Sequence, residues 1–172
     1  MAALEITNGD ITEIEVGAII CPAHKYLIKG RGLSAQIFDK GGAELEKECK
    51  EHKECAVGEA RLTSAPNLCT SYIIHTVTPQ WTGGDQWGIT ALEQLRQCYN
   101  SVLTLAQENN IRSLVFPALG AGTNKIPHSM AAHVALDGLI KQEDAFDRLI
   151  VCLHTESAKR EWVDALNKFY AV

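Results

Sequence analysis

Apolar runs alternate with stretches of helical spacing along this chain, and the alternation leaves it few ways to fold. The runs are residues 4–6, 16–20, 72–77, 111–116 and 149–153, with weaker candidates at 11–14 and 60–64. Helical patterns fill the intervals at 33–40, 43–52, 89–107, 127–141 and 157–169. In the longest of these, Leu92, Leu95, Tyr99, Val102, Leu103 and Ala106 recur at helical spacing and make one apolar face, whose use is packing. Strands that are apolar on both sides need cover on both sides. The pattern therefore predicts an α/β fold with a mainly parallel sheet, helices on each face and right-handed crossovers. At 172 residues, one domain spanning residues 1–172 is enough to bury a core.

Sheets of this kind bind ligands at the carboxyl ends of their strands. Two segments there carry glycines between a strand and a helix. In "SLVFPALGAGTNKIPHSM", residues 113–130, Gly120 and Gly122 free the backbone, and Pro127 suits the first position of a helix. In "CPAHKYLIKGRGLSAQIF", residues 21–38, Gly30 and Gly32 precede another helix. Two such loops can close on one diphosphate from opposite sides, each with amides and a helix dipole that favour an anion. An ordinary βα turn would also use glycine, and neither loop is a P-loop or a G-x-G-x-x-G fingerprint. A third stretch, "TPQWTGGDQWG", residues 78–88, reads as a Gly-rich surface loop.

Net charge is −5 with no block of like charges, so binding to long nucleic acid or anionic lipid is not expected, and any phosphate must be held locally. No apolar run approaches a membrane span. Six cysteines, without a C-x-x-C pair, read as reduced thiols, and the start "MAALEITNGD" lacks a signal-peptide pattern, so a cytoplasmic protein is expected. Cys49, His52 and Cys55 form the one close cluster of possible metal ligands, but their spacing in a charged segment favours a solvated helix face, and no metal or other cofactor is expected.

With "NGDITEIEVGAII", "CAVGEARLT", "YIIHTVTPQW", "LVFPALGAGTNKIP" and "LIVCLHTES" in this order, the chain resembles the macro domains, which bind ADP-ribose. The resemblance runs from about Asn8 to Glu156. It implies a three-layer α/β/α fold around a central, mostly parallel mixed sheet of six to seven strands. It also implies that Asp10 accepts from the adenine amino group and that the N–H of Ile11 serves a ring nitrogen. The backbone of Gly120, Ala121, Gly122, Thr123 and Asn124 would hold the diphosphate, and Gly30, Arg31, Gly32 and Leu33 would close from the other side.

Several positions depart from the family's pattern. An Asn-Ala-Ala-Asn run is replaced by Cys21, Pro22, Ala23 and His24, so that His24 stands where an Asn usually meets the distal ribose. Ser34 stands where family hydrolases commonly have an acidic residue, and Arg31 interrupts a run of glycines. Asn124 replaces an aromatic that flanks the distal ribose, and His154 one that stacks on adenine. In part these changes resemble the macro-type variant histone, a reader in type. The implied function is binding of ADP-ribose or a related nucleotide, with ADP-ribose or an ADP-ribosylated protein as partner and a monomer expected. The alternatives are an ADP-ribosyl hydrolase or O-acetyl-ADP-ribose deacetylase with His24 as catalytic base, and a binder of another phosphorylated nucleotide through Arg31.

Overall fold

The computed structural model describes residues 4–81, 86–122 and 124–170. Its strands are β1 (Leu4–Asn8), β2 (Ala18–Pro22), β3 (Ala60–Ser64), β4 (Tyr72–Thr76), β5 (Ser113–Phe116) and β6 (Arg148–Leu153). Its helices are α1 (Leu33–Lys50), α2 (Gln86–Glu108), α3 (His128–Gln142) and α4 (Glu156–Phe169). The strands form one six-stranded sheet in the order β1-β6-β5-β2-β4-β3. Every pairing is parallel except that of β3, which runs antiparallel to β4 at the edge.

Alternation along the strands sorts the apolar residues into two layers. Ala18, Ile20, Leu114, Phe116, Leu149 and Val151 face α2, α3 and α4, where Leu95, Tyr99, Leu136 and Trp162 complete the larger core. Ile19, Cys21, Ile73, Val115, Ile150 and Cys152 face α1, which contributes Ile37, Phe38, Leu45 and Cys49. One helix therefore covers one face and three cover the other. Neighbouring strands β2 and β5 send their chains to opposite faces, into α1 and α3, and a crevice opens between the two departing loops.

Two local expectations need correction. Residues 11–14 are not a strand: Ile11–Glu13 is a 3-10 turn, because the Asp10 carboxylate captures the Thr12 N–H at 3.0 Å and bends the chain. The two helices expected at 33–40 and 43–52 are present as the two halves of α1, divided where Gly42 leaves helical geometry at φ 63°. Cys49 and Cys55 do not lie on a solvated face; both are buried, since an uncharged thiol packs as a small hydrophobe, and burial pushes the Cys49 thiol up to about 11. Of the expected loop at 78–88, residues 82–85 lie outside the described residues, and α2 begins at Gln86.

Under α1, β4 carries His75, which is fully buried. Its Nε2 lies 2.9 Å from Thr63 Oγ1, and that hydroxyl donates to the Ser64 carbonyl at 2.9 Å. Thr63 therefore accepts from Nε2–H, and Nδ1 is left as a buried acceptor without a partner among the described residues. Desolvation pushes this imidazole down to about 3.

Candidate functional site

A cavity of about 820 Å³ opens at the carboxyl end of the sheet. Five strand ends contribute to its wall, through Asp10 after β1, His154 after β6, Ala118 after β5, Pro22 at β2 and Thr78 after β4. Four strand spacings of about 4.8 Å make it roughly 19 Å long. That length suits an extended nucleotide better than a lone base or phosphate.

Asp10 marks the β1 end. Its Oδ1 accepts from Thr12 N–H at 3.0 Å, from Thr12 Oγ1 at 2.6 Å and from Gln36 Nε2 at 3.2 Å. The Thr12 hydroxyl, more than any other contact, holds the carboxyl below its usual range. Oδ2 has no donor among the described residues, so a fixed, ionised carboxylate offers its second oxygen to a ligand.

The middle of the cavity lies between two helix ends. Neither α1, which starts after Gly32, nor α3, which starts after Pro127, has a side-chain cap. By contrast Thr155 caps α4, accepting from the Ala158 N–H at 3.1 Å. Gly32, Leu33 and His128 all line the cavity, so the positive ends of both uncapped helices flank it. In the loop before α3, Gly120 has φ 83°, a conformation that favours glycine, and a Cβ there would press on the tip of Ile126 at 2.7 Å. The N–H groups of Gly120, Gly122 and Asn124 have no acceptor among the described residues. An anion is the natural partner for such amides.

At the β4 end, Asn124 Nδ2 donates to the Thr78 carbonyl at 3.0 Å and to Thr78 Oγ1 at 2.6 Å. The Trp81 N–H donates to the Asn124 carbonyl at 2.9 Å, tying the loop after β5 to the segment after β4. His128 is oriented from behind: Trp162 Nε1–H donates to its Nδ1 at 3.1 Å. An indole only donates, so neutral His128 carries its proton on Nε2.

With this geometry in view, the sequence profile of the macro domain family matches residues 20–135. The chain belongs to the macro domain family. An ADP-ribose glycohydrolase MACROD2 of Xenopus laevis is 39% identical over 169 residues, covering 95% of this chain and 40% of that protein. The chain thus spans less than half of that relative. The macro domain-containing protein mll7730 of Mesorhizobium japonicum is 36% identical over 166 residues, 95% of this chain and 93% of that protein. A mutant Oceanobacillus iheyensis macrodomain with ADPR is 31% identical, with a TM-score of 0.89 over 96% of this chain and 92% of that one.

In this macro domain, Asp10, Ile11, Arg31, Gly32, Leu33, Gly120, Ala121, Gly122, Asn124 and His154 line the one cavity, while Thr123 lies outside the described residues. Gly30 and His24 do not line it. The Gly30 N–H donates to Ser34 Oγ at 3.1 Å, which gives the buried serine a part in shaping the loop. His24 is exposed on the lip, with its Nδ1 accepting from the Tyr26 N–H at 3.1 Å. Sequence reasoning missed Gln36, Thr78, His128 and Thr155. Gln36 follows Gly32 by one helical turn, and Thr155 sits before a helix as an N-cap, so both had a readable signal; the Asn124–Thr78 and His128–Trp162 pairs join distant segments and had none.

Proposed function

We propose that this macro domain binds ADP-ribose, or a nucleotide built like it, along the length of the cavity. The observation that carries this reading is the pair of uncapped helix ends, α1 and α3, flanking one crevice whose β1 end holds the anchored Asp10 carboxylate. Asp10 Oδ2 accepts from the adenine amino group, the Ile11 N–H serves the ring, and His154 stacks on it. The diphosphate lies between the amides of Gly120, Gly122 and Asn124 and the first turn of α1, with Arg31 beside it. The terminal ribose reaches the end bounded by Pro22, Thr78 and Asn124. Because amides and dipoles neutralise the phosphates, a chain of net charge −5 needs no broad basic surface.

A hydrolytic reading draws its support from the ADP-ribose glycohydrolase activity named in MACROD1 and MACROD2 relatives. His24 is its candidate base. Hydrolysis needs a group that takes a proton from water, and neutral His24 and His128 each commit Nδ1 to an N–H donor, leaving the proton on Nε2. Asp10 is the sole carboxylate among the described lining residues, and its place is at the adenine end. Binding is the reading adopted.

Titration calorimetry with ADP-ribose, beside AMP and ADP, tests it. Selective micromolar or tighter binding of ADP-ribose is expected, and Asp10→Ala is expected to weaken it by about 1.5–3 kcal/mol, the range for a charge-assisted hydrogen bond. An unchanged affinity in Asp10→Ala would remove the adenine assignment. Release of ADP-ribose from a modified peptide, lost in His24→Ala while binding persists, would restore the hydrolytic reading.

A further inference from the structure

The lip of the cavity between Pro22 and Arg31 has a character that small-ligand binding does not explain. From Val16 to Phe38 the chain contains no acidic residue, although it holds 21 elsewhere. Within that stretch Lys25, Lys29 and Arg31 fall in seven residues and are exposed. Lys29 is paired with Asp39 at 2.6 Å, whereas Lys25 and Arg31 form no ion pair among the described residues. Six large apolar side chains are exposed among the described residues, and two of them, Tyr26 and Ile28, share this loop at 51% and 53% exposure.

The loop is also held rigidly. Leu27, between those two exposed residues, is buried in the layer under α1 and adopts φ 54°, a conformation disfavoured for a leucine. Its N–H donates to the His24 carbonyl at 2.8 Å, and the Cys55 N–H donates to the Lys25 carbonyl at 2.7 Å. Lys25 Nζ lies 4.9 Å from the centre of the Tyr26 ring. Burying Leu27 in a strained conformation is what turns Tyr26 and Ile28 outward. An exposed lysine with no ion pair among the described residues, set beside two apolar side chains and fixed in advance, loses little entropy on docking a chain.

The cavity's direction says where that chain comes from. With adenine at Asp10 on the β1 end, the terminal ribose lies at the β2 and β4 end, and an ADP-ribosyl group is joined to its carrier through that ribose. The carrier therefore leaves past Pro22 and crosses the loop that follows. We infer that this loop docks an acidic polypeptide segment flanking an ADP-ribosylated residue, whose carboxylates meet Lys25 and whose apolar side chains pack on Tyr26 and Ile28. The inference rests on the ADP-ribose reading and deepens it, naming the kind of carrier. A polypeptide is favoured over nucleic acid because an exposed apolar pair lies between the cations and the chain's net charge is −5.

Calorimetry tests it with four probes: free ADP-ribose, an ADP-ribosylated peptide with Glu and Leu flanks, the same peptide with Ser flanks, and an ADP-ribosylated oligonucleotide. The acidic peptide is expected to bind about tenfold more tightly than the Ser peptide, the sum of a few rim contacts, with the margin narrowing in high salt. The triple variant Lys25→Glu, Tyr26→Ser, Ile28→Ser is expected to erase that margin while keeping its melting temperature and its affinity for free ADP-ribose. Equal binding of the two peptides, or a margin that survives in the variant, overturns the inference and leaves the ADP-ribose reading intact. An oligonucleotide that gains more than the acidic peptide overturns it in favour of nucleic acid. Failure of free ADP-ribose to bind overturns the ADP-ribose reading, and the inference falls with it.

Discussion

The two loops that close the cavity are built on opposite plans. The loop after β5 is held by its own backbone: the Ile126 N–H returns to the Gly120 carbonyl at 2.9 Å, the Lys125 N–H to Gly122 at 3.1 Å, and Asn124 ties it to Thr78. The loop after β2 is held from below, by the buried Leu27 and by the Ser34 hydroxyl, and turns its side chains outward. One loop offers amides and the other offers side chains. A site divided this way can keep its phosphate chemistry fixed while the lip varies, because substitution on the lip leaves the opposite loop's geometry untouched.

Acid should separate the two plans most strongly. His75 lies in the layer beneath the lip; its folded pKa is depressed, near 3, while the unfolded chain takes up the proton near 6.5. Stability from the neutral imidazole is therefore complete above pH 6.5 and is lost as pH falls towards 3, on the order of 4 kcal/mol over that window. Denaturant unfolding at stepped pH should show this limb, flattened in His75→Gln. A smaller effect is expected from Gly120→Val, which combines a left-handed penalty with a clash on Ile126 and should destabilise by roughly 2–4 kcal/mol. Gly32→Ala, in the lip, has φ 58° and ψ −126°, a backbone conformation that favours glycine, but its Cβ meets nothing within 4 Å, so backbone strain alone, about 1–3 kcal/mol, is expected there. If the two cost the same by thermal unfolding, the contrast between the loops fails.

Finer tests follow from side-chain ties. Asn124→Ala removes two hydrogen bonds to Thr78 and should weaken ADP-ribose binding by about 1–2 kcal/mol while the lip's acidic-peptide margin persists. Trp162→Phe keeps the ring but drops its donor to His128, which should release the tautomer at about 0.5–1.5 kcal/mol in stability. Nitrogen chemical shifts of the His128 ring would report the change directly, and an Nδ1-protonated ring in the parent protein would contradict the assignment.

How much of this was readable beforehand depended on range. Apolar runs announced five of the six strands, and residues 60–64, one of two weaker candidates, proved to be β3; burial on two faces leaves a continuous signature in β2, β4, β5 and β6, while the edge strands β1 and β3, only partly buried, leave a shorter or fainter one. Residues 11–14 misled for a local reason, since Ile11, Thr12 and Ile14 are β-branched residues of strand character while the Asp10 side chain dictates a turn. The glycines of the loop after β5 could be singled out from the chain because their use is a backbone one, whereas Asp10 was named through the family resemblance; both line the cavity. The role of Leu27 was illegible: nothing in "HKYLIKGR" marks which of Tyr26, Leu27 and Ile28 turns inward, because a tertiary packing choice decides it.

The unequal cover of the sheet has a further consequence. Three helices brace one face and a single kinked helix braces the other, and that single helix supplies one wall of the cavity. A layer one helix thick should open locally at less expense than the whole molecule, so amide exchange in α1 is expected to follow partial openings and not global unfolding. A diphosphate seated on its first turn would fasten the thin layer to the thick one, and the bound ligand would then be part of the protein's own architecture.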